Sequence, residues 1–223
     1  MTVVFQRSEL PIAYSMIAAS GRVRPRRDGG HHFEKYFYLW TAFNAIYTTI
    51  AFREGRTPQI KTQADGAIIT VANGSVNIPE VNIVSEREQI FLALEEFNDK
   101  LQRNLIIHKS TKYFMNRTPS WQGIQIALDA FGQRVNGVVN VNYTSNPLYP
   151  VWSPIDFQIY ERYLIAPDNV DDREFLAKQI LDLLYTIRNN MQHGGKRFDD
   201  ANDITVIENA SPYLELIVAS FTQ

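Results

Sequence analysis

Apolar and polar positions alternate along much of the chain with the period of an α-helix. From Phe33 to Arg53, aromatic and aliphatic residues recur at steps of three and four residues, and further apolar positions widen this stripe. So wide a stripe predicts a helix that is covered by neighbours on most sides. A second strong pattern begins at Asp171 and ends at Gly194 and Gly195, because glycine commonly follows the last turn of a helix.

Shorter periodic stretches predict further helices. Ser85 and Glu88 have the spacing of a capping box, in which each side chain satisfies the other residue's backbone N–H. The Ser-Pro pairs at 153–154 and 211–212 suit the first positions of a helix. We expect helices over Leu10–Ala19, Ser85–His108, Thr118–Val135, Ser153–Leu164 and from Ser211 onward.

The middle of the chain follows the helical pattern least well. The stretch from Thr57 to Pro79 alternates weakly between apolar and polar residues, and Asn73-Gly74 suits a tight turn between two short strands. The fold class is therefore predicted to be all-α. We expect residues 1–223 to form a single domain of about five or six helices, with an irregular insertion within 57–150 that could contain a β-hairpin.

Composition and charge narrow the class of protein. With 22 Lys and Arg against 24 Asp and Glu, the formal charge is −2, which is unlike a disordered tail or a histone-like basic protein. The chain has no cysteine, so disulfides, thiolate zinc sites and cysteine nucleophiles are excluded. The first residues lack the features of a signal peptide, and the uncharged run Tyr36–Phe52 is too polar for a membrane span. We predict a cytoplasmic protein without membrane contact.

Four polar residues near the end of the 171–193 helix are the best candidates for chemistry. On a helical wheel, Arg188, Asn189, Gln192 and His193 share one arc, which we expect to face away from the bundle core. A histidine can take the proton of a ribose 2′-hydroxyl or give one to the leaving 5′-oxygen. An arginine can hold the phosphate and stabilise its transition state. A two-fold partner would supply the second acid/base that one copy lacks.

Two segments resemble the HEPN superfamily. The stretch YTIRNNMQHGGK, which contains Arg188 and His193, fits the R-x4-6-H motif, with the polar residue Asn189 directly after the arginine. Upstream, FYLWTAFNAIY resembles the aromatic helix of stand-alone prokaryotic members. The resemblance covers these two helices, and it extends plausibly to the C-terminal helix.

This resemblance implies a HEPN-like up-and-down helical bundle that dimerises so that two motifs form one site. Active members are metal-independent endoribonucleases of toxin–antitoxin, CRISPR-associated and anti-phage systems. It implies that Arg188 and His193 are catalytic with Asn189 in support, and that Lys196 contacts phosphate. We therefore expect RNA, a second copy and a possible antitoxin or other defence-system protein as partners, and no metal or cofactor. Gly195 stands where some members carry a tyrosine that is adenylylated, so that form of control is not expected here.

Other residues offer weaker candidates. The arginines between 22 and 27 form the chain's basic cluster, which is either a solvated loop or a loop in which Arg24 and Arg26 contact phosphate. Gln192 is a further candidate for substrate contact. His31 and His32 are adjacent, a pattern more typical of surface residues than of a metal site. Asn44 lies within an apolar stripe and is expected to form a structural hydrogen bond, across the core or toward the Arg188 helix.

Two alternatives to a nuclease stay open. A catalytically silent HEPN module would dimerise and bind RNA, a nucleotide or a partner protein, and the net charge of −2 favours this alternative. A purely structural helical domain would use Arg188 and His193 only in local salt bridges or helix caps.

Overall fold

Eight α-helices and four short strands make up the regular structure of the described residues, and the helices form the core. The structure, a computed structural model, describes residues 4–54, 56–58, 82–116, 125–128, 134–139, 155–192 and 199–222. The helices are α1 Pro11–Ser20, α2 Gly30–Arg53, α3 Glu86–Glu95, α4 Asp99–Ile107, α5 Lys109–Asn116, α6 Phe157–Ile165, α7 Val170–Gln192 and α8 Ala201–Phe221. The strands are β1 Arg56–Pro58, β2 Asn82–Val84, β3 Gln125–Leu128 and β4 Arg134–Val139. The predicted all-α class is confirmed.

Helix α2 is the central element that its wide apolar stripe predicts. It packs against α1, α3 and α8, and Tyr36, Trp40, Phe43 and Tyr47 are buried, whereas Phe37 is exposed. The helix begins at Gly30, earlier than predicted, because Asp28 accepts a hydrogen bond from the Gly30 N–H at 2.9 Å. Gly29 precedes it with a φ of 73°, a backbone conformation that favours glycine.

The predicted helix from Ser85 to His108 is wrong in its length. The capping box is present, with Ser85 N donating to Glu88 Oε2 at 2.6 Å and Glu88 N donating to Ser85 Oγ. The helix ends at Glu95, however, and Asn98 caps a new helix, α4, by accepting from Leu101 N at 2.8 Å. A side-chain cap inside a periodic stretch competes with helix continuation, although the apolar period persists across the break.

The region from 118 to 135 was predicted to be helical, and this prediction is wrong for its described residues, 125–128 and 134–135. Strand β3 lies in this region, and it pairs in antiparallel fashion with β4, which begins at the end of the region, with Gln125 opposite Val139. Strand β4 contains three valines among its six residues, and β-branched residues favour strands over helices. The hairpin proposed around Asn73-Gly74 lies outside the described residues. Strands β1 and β2 lie before and after this segment, and they pair in parallel, so they are not the two arms of a simple hairpin.

Two helix starts also differ from the predicted positions. Asp156, rather than Ser153, caps α6 by accepting from Ile159 N at 3.0 Å. Helix α8 starts at Ala201 instead of Ser211, because the Asp200 side chain accepts hydrogen bonds from the N–H groups of Asn202 and Asp203. Pro212 therefore lies inside α8, where it cannot donate to the preceding turn.

Helix α7 begins close to its predicted start and carries Arg188, and its predicted end at Gly194 and Gly195 lies outside the described residues. Its apolar stripe between Leu176 and Ile187 is buried against α3, α4 and α6. Two ion pairs connect α7 to its neighbours: Arg87 of α3 bonds Asp182, and Arg173 bonds Asp99 of α4. A membrane span would need a longer uninterrupted apolar helix than any in the described part of the chain.

Candidate functional site

Arg188 lies near the end of α7 with its side chain only 20% exposed. Its Nη1 donates to Asn189 Oδ1 at 2.8 Å and pairs with Glu86 Oε2 at 3.1 Å. Arg188 therefore faces the start of α3, and the prediction that its arc points away from the bundle is wrong for this residue. The helical wheel placed Arg188 beside the apolar stripe, and the neighbouring α3 covers that edge.

Glu86 is connected in turn to the aromatic helix α2. The Tyr47 hydroxyl donates to Glu86 Oε1 at 2.6 Å, and Asn44 Nδ2 donates to the same hydroxyl. Asn44 thus bonds a residue of its own helix and reaches Arg188 only through two other side chains. Both carboxylate oxygens of Glu86 are engaged, one by Tyr47 and one by Arg188.

Trp40 completes the surroundings of Arg188. The guanidinium carbon lies 5.9 Å from the centre of the Trp40 ring, within the range of a cation–π contact. Tyr36 stacks on Trp40 with the ring centres 6.4 Å apart, and its hydroxyl donates to the Leu184 carbonyl at 2.9 Å. The two segments that carry the HEPN resemblance therefore meet at Trp40 and Arg188.

Burial keeps both tyrosines of this cluster protonated. Burial raises the pKa of Tyr47, and its hydrogen bond to Glu86 raises it further. Burial also raises the pKa of Tyr36, against the opposing influence of the nearby Arg188 charge. Both hydroxyls consequently remain hydrogen-bond donors at any physiological pH.

Several side-chain donors of Trp40, Arg188 and Asn190 have no acceptor in the described part of the chain. Among the described residues, Arg188 Nη2 has no hydrogen-bond partner. The buried Arg188 Nε, Trp40 Nε1 and Asn190 Nδ2 also lack a hydrogen-bond partner. A buried donor without an acceptor costs free energy of folding. Chemically, the guanidinium is anchored through Nη1 and can bind an anion through Nη2.

The other members of the motif contribute less to the described site. Gln192 is the last residue of α7 and is exposed, and Asn189 holds the Arg188 guanidinium. His193 and Lys196, together with Gly194 and Gly195, lie outside the described residues.

The basic loop does not join this cluster. Arg26 forms ion pairs with Asp28 and Glu34, and Arg24 is exposed. Glu34 precedes Trp40 by six residues of α2, or about 9 Å along the helix axis. In the described part of the chain, no hydrogen bond or ion pair links either arginine to Arg188 or Glu86.

The two adjacent histidines have protein partners. His31 Nδ1 accepts from Arg26 N at 3.1 Å, and His32 Nε2 pairs with Glu208 of α8 at 2.9 Å. No group of three or more His, Asp or Glu side chains that could hold a metal ion occurs among the described residues.

Glu86 and Tyr47 are the neighbours of Arg188 that the sequence did not single out. The capping box placed Glu86 in the first turn of a helix, but nothing in the sequence indicated which helix would lie beside it.

The chain was compared with protein-family models, with curated proteins and with solved structures, and none of the three comparisons gives a match.

Proposed function

We propose that this protein is a metal-independent endoribonuclease of the HEPN type, acting as a homodimer in a prokaryotic defence or toxin system. The observation that carries the proposal is the environment of Arg188. Its guanidinium is anchored by Glu86 and Asn189, lies over Trp40 and keeps Nη2 without a hydrogen-bond partner among the described residues. His193 follows five residues later, within the same motif.

The proposed reaction is a transesterification within RNA. His193 of one protomer removes the proton of the 2′-hydroxyl, whose oxygen attacks the adjacent phosphorus. Arg188 donates to a non-bridging oxygen and stabilises the extra negative charge of the transition state. The bond to the 5′-oxygen breaks, and the partner's His193 protonates that oxygen. The products are a 2′,3′-cyclic phosphate and a free 5′-hydroxyl, and the residues alone carry every proton.

The test is RNA cleavage in excess EDTA. Purified wild type, His193→Ala, Arg188→Ala and a matched control, Arg103→Ala, are incubated with labelled total RNA. Arg103 is chosen because its ion pair is with Asp168, outside the Arg188 cluster. We expect cleavage by wild type and Arg103→Ala, with 2′,3′-cyclic phosphate ends, and at least a hundredfold loss in the other two. Equal cleavage by wild type and His193→Ala, with both folded, would refute the assignment.

The dimer has a separate test. Sedimentation equilibrium of the 25.6 kDa chain should give twice the monomer mass at the concentrations that support cleavage. A monomer that cleaves RNA at full rate would contradict the composite site.

The ion pair with Glu86 favours one alternative, a catalytically silent module that binds RNA, a nucleotide or a partner protein. Glu86 neutralises the Arg188 charge, which weakens an anion's attraction to the site. A local salt bridge of this kind is also what a purely structural role for Arg188 predicts. The silent module predicts that wild type retains RNA on a filter without cleaving it, and that Arg188→Ala reduces this retention. A structural role alone predicts that the variant changes stability but not retention.

A further inference from the structure

We propose that Glu86 is a positioning residue for Arg188, and that Tyr47 holds Glu86 in place. This inference rests on the proposed function, and it adds residues from two other helices to the R-x4-H motif. The connected side chains run from Asn44 and Tyr47 on α2, through Glu86 on α3, to Arg188 on α7.

The geometry fixes Glu86 from two sides. Tyr47 donates to Oε1 at 2.6 Å and Arg188 pairs with Oε2 at 3.1 Å, so rotation of the carboxylate would break one contact or the other. Glu86 is also the first residue of α3, directly after its N-cap Ser85, so the start of this helix sets the position of its side chain beside Arg188.

The position of Glu86 determines which nitrogens of Arg188 remain available. Glu86 and Asn189 both engage Nη1, and Nη2 is left for a phosphate oxygen. A guanidinium that rotates freely must be ordered when the transition state forms, whereas a fixed one is ordered beforehand. Glu86 should therefore contribute more to turnover than to RNA binding.

A neighbouring ion pair provides a control that distinguishes the positioning of Arg188 from a simple attachment of α3 to α7. Arg87 and Asp182 join the same two helices through two hydrogen bonds of 2.8 and 2.7 Å. Their side chains are 54% and 38% exposed, whereas Glu86 is 27% exposed. Asp182→Asn is consequently the matched control, since it weakens an α3–α7 ion pair without touching Arg188.

The experiment compares Glu86→Gln, Tyr47→Phe and Asp182→Asn by two measurements. The first is the ¹⁵N–¹H NMR spectrum of arginine Nε–H groups, in which the Arg188 signal is assigned by its loss in Arg188→Lys. The second is kcat and KM for RNA cleavage in EDTA. We expect Glu86→Gln to shift or broaden the Arg188 signal and to lower kcat by about tenfold to a hundredfold. KM should change by less than about threefold, because the variant loses an interaction that stabilises the transition state and keeps those that bind RNA in the ground state.

Tyr47→Phe should change both measurements in the same direction by a smaller amount, because it removes the hydrogen bond to Glu86 but keeps the carboxylate that pairs with Arg188. It also serves as the deciding variant if Glu86→Gln does not fold. Asp182→Asn should leave the Arg188 signal and kcat unchanged.

The outcomes separate this inference from the proposed function. If wild type does not cleave RNA, the proposed function fails, and the Arg188 NMR signal alone decides whether Glu86 positions the arginine. An unchanged Arg188 signal and an unchanged kcat in folded Glu86→Gln would overturn the inference. Equal losses of kcat in Glu86→Gln and Asp182→Asn would also overturn it, since both would then act only through helix attachment.

Discussion

The guanidinium of Arg188 lies over the ring of Trp40, 5.9 Å from its centre. This contact joins the aromatic helix α2 to the end of α7, two segments that are far apart in the sequence. Since Trp40 is only 5% exposed, its ring provides a rigid surface for a side chain that is itself mostly buried. Arg188 is therefore part of the packed bundle and not a free surface charge.

The first prediction concerns the energy of this contact. A double-mutant cycle of Trp40→Leu and Arg188→Met, measured by urea unfolding, should give a coupling free energy of about 0.5–2 kcal/mol. The same cycle with Trp40→Leu and Arg103→Met should be additive, because Arg103 pairs instead with Asp168. Additivity in both cycles would show that the ring and the guanidinium do not interact.

The second prediction concerns acid sensitivity at His108. Burial lowers the pKa of this imidazole, and its Nδ1 accepts from Ser110 N at 3.2 Å, a bond that protonation of Nδ1 would break. The unfolded chain binds the proton near pH 6.5, and the folded chain binds it only at lower pH. The free energy of unfolding should therefore be largest above pH 6.5 and should fall as the pH drops below that value.

Urea unfolding at pH 7.5 and pH 5.5 checks this expectation. His108→Asn keeps an acceptor for Ser110 but cannot titrate, so it should lose less stability than wild type between the two pH values. Part of the pH dependence of stability should persist in His108→Asn, since burial also lowers the pKa of His32. Identical pH dependence in wild type and His108→Asn would contradict the prediction.

The third prediction concerns the start of α8. Asp200 accepts from the backbone N–H groups of Asn202 and Asp203 at 2.9 and 3.1 Å. Asp200→Ala should lower the free energy of unfolding by about 1 kcal/mol, and Asp200→Asn should retain most of the stability. Chemical denaturation of the three proteins measures both changes. No loss in Asp200→Ala would mean that this cap does not define the helix start.

How far the sequence could predict the helices depends on the type of signal. Periodic apolar stripes located α2 and α7, and the capping box located the start of α3, because these signals depend on neighbouring residues only. The side-chain caps Asn98 and Asp200 were missed, and with them a helix break and a helix start. Asparagine and aspartate are common on exposed helix faces and in loops, so their capping role becomes visible only when the backbone conformation is known.

The sequence by itself determined the all-α class, the central aromatic helix and the position of Arg188 on a helix. Only the tertiary structure decided what surrounds Arg188. Helical periodicity gives the direction of a side chain relative to its own axis, but not the identity of the helix that covers it. Glu86, Tyr47 and Trp40 reach Arg188 because the packing of three helices brings distant parts of the chain within hydrogen-bonding or ring-contact distance.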